Sequence, residues 1–216
     1  MKHKKSSKKN GCLIALEGGE GGGKTTQIMR LTRRLKKAGM DVISVREPGG
    51  TVISEQIREV VLSSKNVGIQ DTTEVLLFQA ARAQIYGEVV IPALKAGKVV
   101  LMDRTRDSSV VYQGMVRGFG RKLIEELNEI STQKTRPDLT LLLDVPVKVG
   151  LARRADSGKV DRLDMEAKDF HEQVRKAYLT LAKENKNKGW VVVDAEQTEG
   201  EVEKALWELV SQKLKI

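Results

Sequence analysis

Five short runs dominated by apolar residues punctuate this chain, at residues 12–16, 42–45, 99–102, 139–143 and 190–193. A strand with one wet face alternates apolar and polar residues. Runs without that alternation belong to a sheet covered on both faces, which in practice means a parallel sheet. Helical patterns separate them. Residues 26–38 put Ile28, Leu31 and Leu35 on one face and close on Gly39. Residues 54–62 space Ile57, Val60 and Val61 helically. Thr72 or Thr73 is placed to cap a long helix towards Ile91, with Pro92 marking its end or a kink. Residues 109–117, 122–130, 147–155, 165–185 and 199–214 complete the set. Strand and helix in alternation, joined by right-handed crossovers, give a doubly wound α/β domain: a five-stranded parallel sheet flanked by helices. Ligands of such sheets sit at the carboxyl ends of the strands.

The chain has 216 residues, enough for one domain that buries a sizeable core without a disulfide or metal staple. Cys12 is its only cysteine, which excludes an internal disulfide and a cysteine-cluster metal site and fits a reducing, cytoplasmic compartment. No apolar run approaches the length of a membrane span. Net charge is +9, but residues 1–10 carry five lysines and no acid, so much of the basicity is a property of that stretch. It reads as a solvated tail ahead of a single domain spanning 11–216, and not as a signal peptide, because the apolar run after it is too short. Three Phe, three Tyr and two Trp in the whole chain, none of them in the tail, argue against a nucleic-acid partner. No internal repeat is visible.

Between the first strand and the first helix, Gly18-Gly19-Glu20-Gly21-Gly22-Gly23-Lys24-Thr25 matches G-x-x-x-x-G-K-[ST] in full. Glycines allow the backbone to curl so that its N–H groups point at phosphate oxygens, and the helix N-terminus behind adds positive potential. Lys24 can reach the terminal phosphates of a nucleotide, and the Thr25 hydroxyl can hold Mg²⁺. Such a loop specifies a nucleotide but not a reaction. A GTPase would need N-K-x-D, and Asn185-Lys186-Asn187-Lys188 lacks the aspartate. A nucleic-acid motor would need a larger core or pore loops with aromatic and basic residues. A small kinase needs a second, arginine-bearing phosphate site at the same edge of the sheet. Asp103-Arg104, directly after the third strand, supplies the candidates: Asp103 to anchor Mg²⁺ and Arg104 to clamp an acceptor phosphate. Arg46, Arg58 and Arg82 are further candidate cations.

Beyond these residues the chain resembles the bacterial-type thymidylate kinases, a family of P-loop nucleoside monophosphate kinases. The resemblance runs from Cys12 to the C-terminus. It rests on E-G-x-E-G-x-G-K-T-T at 17–26, R-E-P-G-G-T at 46–51, A-A-R-x-Q at 80–84, D-R-x-x-D-S-S-x-x-Y-Q-G at 103–114, R-P-D-L-T-L-x-L-D-V at 136–145 and D-R-L-D at 161–164. It implies transfer of the ATP γ-phosphoryl group to dTMP with Mg²⁺, by a homodimer. The loop from Gly18 to Thr26 would bind ATP. Arg58 and Arg104 would hold the dTMP phosphate, and Glu20 would lie near the deoxyribose 3′-hydroxyl and the metal. Glu47 and Pro48 would shape the loop beside the acceptor. Phe78 would stack on thymine and Arg82 would donate to its O4, with Ser109, Gln113 and Tyr112 completing the pocket. Another nucleoside monophosphate or deoxynucleoside kinase of the same fold is the alternative. A nucleotide-dependent binding protein recruited through the lysine tail is a reading from a different class.

The basic segment 153–164 reads as a lid over the transferring phosphoryl group. Because Glu20 occupies the phosphate loop, the resemblance implies that catalytic positive charge comes from this lid. The chain departs from the family pattern twice. Ser157 stands before Gly158, where many relatives carry arginine, so the charge falls to Arg153, Arg154, Lys159 or Arg162; Arg153 and Arg162 match family arginines and are favoured. Thr105 follows Asp103-Arg104 where an aromatic residue or histidine is usual, which bears on packing around the acceptor sugar. Cys12 is expected to be buried and inert. His3 and His171 receive no role.

Overall fold

The computed structural model describes residues 11–156, 158 and 161–216. The tail expected at 1–10 lies outside them, as do Ser157, Lys159 and Val160 within the lid. Five strands form one sheet: β1 (Cys12–Glu17), β2 (Val42–Arg46), β3 (Val99–Asp103), β4 (Leu139–Asp144) and β5 (Trp190–Asp194). Their order is β2-β3-β1-β4-β5 and every pairing is parallel. Nine α-helices among the described residues flank it: α1 (Lys24–Lys37), α2 (Val52–Leu62), α3 (Asp71–Ile85), α4 (Ile91–Lys95), α5 (Arg106–Ser109), α6 (Arg121–Ser131), α7 (Val147–Asp156), α8 (Lys168–Glu184) and α9 (Glu199–Leu214).

The core follows the two-residue period of the strands. Ile14, Leu16, Val99, Leu101, Leu141 and Leu143 point to one face, where they meet Leu31 and Leu35 of α1 and Leu206 and Val210 of α9. Leu13, Val100 and Met102 point to the other and pack on Ile85, Tyr86 and Val90. No helix among the described residues is long and apolar enough to cross a membrane.

Each strand runs one residue further than its apolar stretch, and that extra residue is charged: Glu17, Arg46, Asp103, Asp144 and Asp194. Ladder hydrogen bonds use only backbone, so they continue past the last apolar side chain; Leu16 pairs with Asp103, and Asp103 with Arg46. All five charges therefore stand along the carboxyl edge of the sheet.

Three expectations about helices need correction. The long helix starts at Asp71 behind Gln70, so neither Thr72 nor Thr73 caps it. Of the two alternatives at Pro92, an end or a kink, the end is excluded. A π-helical turn, Tyr86–Val90, ends with the Ile91 N–H bonding back to the Tyr86 carbonyl, and α4 continues through Pro92 to Lys95. A second π-helical stretch, Val110–Val116, replaces the regular helix expected at 109–117 and carries Tyr112 and Gln113. Apolar spacing does not distinguish a π turn from an α turn over so few residues. Cys12 is half-buried rather than buried, and burial, and then Asp138, push its thiol up to about 11.

Candidate active site

A cavity of about 760 Å³ opens above the carboxyl edge and is lined by both Lys24 and Arg104. On its donor side, β1 passes into the glycine loop and α1 begins on Gly23, whose φ of 81° is left-handed. No side chain caps this helix and its first turn holds no acid, so its N–H groups remain available to an anion. The Lys24 ammonium donates to the carbonyls of Gly18 (3.1 Å) and Gly19 (2.7 Å). Burial and the neighbouring Arg104 lower its pKa, against the pull of Glu20. The Thr25 hydroxyl donates to Asp103 Oδ2 at 2.6 Å, joining the start of α1 to the end of β3.

Gly21 is where the loop meets α7. Its φ is 66°, and a Cβ there would lie 1.9 Å from the Gly150 carbonyl oxygen; a Cβ on Gly150 would lie 2.3 Å from the Glu20 carbonyl oxygen. Only paired glycines let α7 seat its backbone directly on the phosphate loop.

Arg104 leaves β3 in the left-handed region, φ 66°, an uncommon conformation for a residue with a side chain. That turn sends the guanidinium back over the loop. There Nη1 donates to the Gly18 carbonyl at 3.0 Å and the Tyr178 hydroxyl at 3.3 Å, and Nη2 bonds Glu20 Oε1. Tyr112 donates to the same Glu20 oxygen at 3.1 Å. Burial opposes the Glu20 charge, but Arg104, Lys24 and Arg154 outweigh it and hold the carboxyl down at about 2. Glu20 is thus an anion that occupies Arg104 from inside the phosphate loop.

The acceptor wall is built from the segment after β2 and from α2, α3 and the second π-helical stretch. Arg46 donates to Glu55, which also accepts from the Gly50 N–H at 2.7 Å, and Thr51 caps α2 by accepting from the Ser54 N–H. Arg58 Nη1 donates to the Pro48 carbonyl at 2.7 Å, and the Glu47–Pro48 peptide is cis. Glu47, Pro48, Arg58, Phe78, Ser109, Tyr112 and Gln113, the residues that the resemblance names for the acceptor, all line the cavity.

Arg82 does not. It stands behind the wall, 1% exposed, with its donors committed. Nε and Nη2 reach Glu47 at 2.7 Å, Nη1 reaches Ser109 Oγ (3.0 Å) and Asn128 Oδ1 (2.9 Å), and Nη2 also reaches the Thr105 carbonyl (3.2 Å). In this geometry it braces Glu47 and Ser109. Burial pushes the Glu47 carboxyl up, against the opposing charge of Arg82.

The lid arginines separate. Arg153 bonds the carbonyls of Ala195 (2.8 Å) and Glu196 (3.2 Å), at the far end of the cavity. Arg162, 7% exposed, turns into the protein, where Nε donates to the Val61 carbonyl and Nη2 to Glu74, outside the cavity lining. Arg154 lines the cavity, forked onto Asp164 (3.0 and 2.9 Å) and reaching Asp161 (3.2 Å), and its charge is felt at Glu20.

Several participants carry no motif signal strong enough to single them out. Glu17, fully buried, accepts from the Thr105 N–H (2.7 Å), the Thr105 hydroxyl (2.8 Å), the Ser108 hydroxyl (2.7 Å) and the Tyr178 hydroxyl (2.8 Å). Thr105 therefore faces down onto Glu17 and not towards an acceptor sugar. Glu17 opens the motif at 17–26 and stands at the end of an apolar run, but neither signal names these partners. Asn128, Tyr178 and Glu74 lie on helices with nothing local to mark them. The stretch after β5 contributes Ala195, Gln197, Thr198 and Glu199 to the cavity.

A glycine-rich phosphate-loop motif and a strand-end arginine, both lining one cavity on a 2-3-1-4-5 parallel sheet, place the molecule among the P-loop nucleoside monophosphate kinases. Residues 16–206 match the model of the thymidylate kinase family, and the chain belongs to that family. It is 48% identical over 178 residues to a thymidylate kinase of Pelobacter propionicus, covering 80% of this chain and 81% of that one. To the thymidylate kinase of Geotalea uraniireducens it is 43% identical over 210 residues, covering 94% and 98%. Its structure superposes on that of the thymidylate kinase from Ehrlichia chaffeensis with a TM-score of 0.75 at 28% identity, covering 93% of this chain and 99% of that chain.

Proposed function

We propose that this protein transfers the γ-phosphoryl group of ATP to dTMP, giving ADP and dTDP. The observation that carries the reading is the approach of Lys24 and Arg104 to one cavity from adjacent strand ends. A phosphate oxygen of dTMP attacks the γ-phosphorus in line, and the bond from that phosphorus to its bridging oxygen breaks. A dTMP phosphate near neutral pH is already an anion, so no general base is needed; alignment and positive charge do the work.

Lys24 and the N–H groups at the start of α1 hold the donor phosphates. Arg104 and Arg58 hold the acceptor phosphate, and Arg104 exchanges its Glu20 partner for phosphate oxygens as dTMP enters. Thr25 and Asp103, a hydroxyl and a carboxylate in contact, are a hard-oxygen pair that would hold Mg²⁺. When bound, the ion would neutralise charge on the donor phosphates. Of the lid residues, Arg154 is the one we assign to the transition-state charge: it is the cavity-lining arginine whose charge reaches Glu20, whereas Arg162 is engaged in the core. Arg153, at the end of the cavity near Ala195, serves the nucleoside part of ATP. Phe78 stacks on thymine. Rejection of dUMP rests on one methyl group, about 1–3 kcal/mol.

The homodimer expected from the resemblance finds support in exposed apolar side chains on neighbouring helices: Val52 and Val60 of α2, Leu76 of α3 and Ile130 of α6 are 48–76% exposed. The cytoplasm suits a chain with one unpaired cysteine. A coupled ADP-release assay across nucleoside monophosphates tests the function. Activity peaking on dTMP is expected, and a peak on AMP or CMP would defeat the substrate assignment.

A further inference from the structure

Because the strands are parallel, every segment that enters one lies at the amino edge of the sheet, opposite the cavity. In spatial order these entries lead into β2, β3, β1, β4 and β5, and each is basic. Lys37 precedes β2, Lys98 precedes β3, Lys134 precedes β4 and Lys188 precedes β5. The entry to β1 follows residues 1–10 with their five lysines. Helix α9 leaves the carboxyl edge after β5, and its 16 residues are long enough to return, which brings Lys215 to the same end.

The acids near these entries are committed. Asp41 meets Lys98 at 3.3 Å, Glu129 meets Arg136 at 2.6 Å and Glu184 meets Arg121 at 2.6 Å, while Asp138 accepts from the Leu13 N–H at 2.8 Å. Lys37, Lys134, Lys186, Lys188 and Lys215 are exposed and form no ion pair among the described residues. The pull of a helix C-terminus on cations accounts for Lys37, which lies in the last turn of α1. It accounts less well for Lys134, which lies past the end of α6, a helix with no basic residue in its last turn. Three of the entries carry left-handed glycines, Gly39, Gly97 and Gly189, with φ of 77°, 81° and 86°. Lys134 and Lys215 occupy the same region, at 62° and 57°, where glycine is the residue without a backbone penalty. Twice, then, a lysine is kept against that preference.

We propose that the amino edge is a docking surface for the phosphate backbone of a nucleic-acid duplex. Five strands about 4.8 Å apart make a basic row about 20 Å long. A duplex presents one charge per about 1.7 Å of its axis, a matching density of anions. The scarcity of aromatic residues argues against base stacking, but phosphate contacts need none. A membrane surface fits less well: it favours apolar side chains that insert, and Ile216, 49% exposed, is the one exposed large apolar residue on these segments.

The test is fluorescence anisotropy of the full-length protein with a labelled DNA duplex of about 20 base pairs at about 50 mM salt, where micromolar or tighter binding is expected. Two variants carry the same change in net charge. One combines Lys134→Glu, Lys186→Glu, Lys188→Glu and Lys215→Glu at the amino edge. The other combines Lys122→Glu, Lys168→Glu, Lys176→Glu and Lys204→Glu, exposed lysines at the start or middle of α6, α8 and α9. The first should bind at least tenfold more weakly with a shallower salt dependence, and the second within about threefold of the parent. Saturating ATP and dTMP should leave the duplex bound. Equal losses in the two variants would reduce the effect to net charge and overturn the proposal. So would displacement by the substrates, no binding by the parent, or binding to phosphatidylserine vesicles but not to the duplex. Both variants should phosphorylate dTMP as the parent does, and failure of the parent in that assay would defeat the dTMP reading without touching the duplex result.

Discussion

Arg104 carries the sharpest test at the scale of single residues. Arg104→Ala should raise KM for dTMP at least tenfold and leave KM for ATP within about threefold, since the lost partner is one charged clamp on the acceptor; steady-state kinetics with each substrate varied distinguishes the two. The lid arginines should part in the same assay. Arg154→Ala lowers kcat, by roughly 10²-fold or more, while Arg153→Ala acts mainly on KM for ATP. Arg162→Ala acts on stability, because it leaves the buried Glu74 carboxylate short of its strongest partner. A loss of about 3 kcal/mol in urea unfolding is expected, at the low end for a broken buried pair because Gln113 and Arg117 remain. Equal kcat losses in Arg153→Ala and Arg162→Ala, with Arg154→Ala unaffected, would reverse this division. Glu20 has a pH signature. Its folded-state pKa, about 2, lies below the ordinary 4.5, so its contribution to stability is complete above 4.5 and is lost as pH falls towards 2. Glu20→Gln should flatten the stability profile in that window, as followed by denaturant unfolding between pH 5 and pH 2.5.

Between elements, α7 packs its backbone against the phosphate loop at Gly21 and Gly150. Gly150→Ala puts a methyl group 2.3 Å from the Glu20 carbonyl oxygen, so helix and loop must separate. A displacement approaching 1 Å at the reacting groups costs about 10² in rate, and kcat should fall by that order while KM for dTMP changes little; an unchanged kcat would mean that the lid is positioned from elsewhere. Both π-helical stretches matter at this scale too. The first carries the long helix past Pro92. The second sets Tyr112 and Gln113 against the cavity, where Tyr112 meets Glu20 and Gln113 meets Glu74.

For the whole molecule, the exposed apolar side chains of α2, α3 and α6 bear on assembly. Leu76→Asp adds a charge to the face assigned to the dimer, and sedimentation should show a shift from dimer to monomer. A dimer that survives the substitution would mean that the subunits meet on another face. The sheet explains why chemistry gathers at one edge: five parallel strands all end there, each in a charged residue.

The sequence by itself was enough for the layered architecture and the phosphate loop, because both are written in local patterns. Apolar runs bounded by glycine and charge mark the strands, and the loop motif is contiguous from Gly18 to Thr25. Pairing order, and the partners of Arg82, Thr105, Arg153 and Arg162, were decided only in three dimensions. Arg82 meets Asn128 across 46 residues and Glu74 meets Arg162 across 88. A guanidinium on an α-helix is compatible with a ligand, a carbonyl or a buried carboxylate, and the sequence around it reads alike in each case. Which partner it takes depends on which acceptors the closed fold brings within about 3 Å of a buried donor that cannot go unpaired.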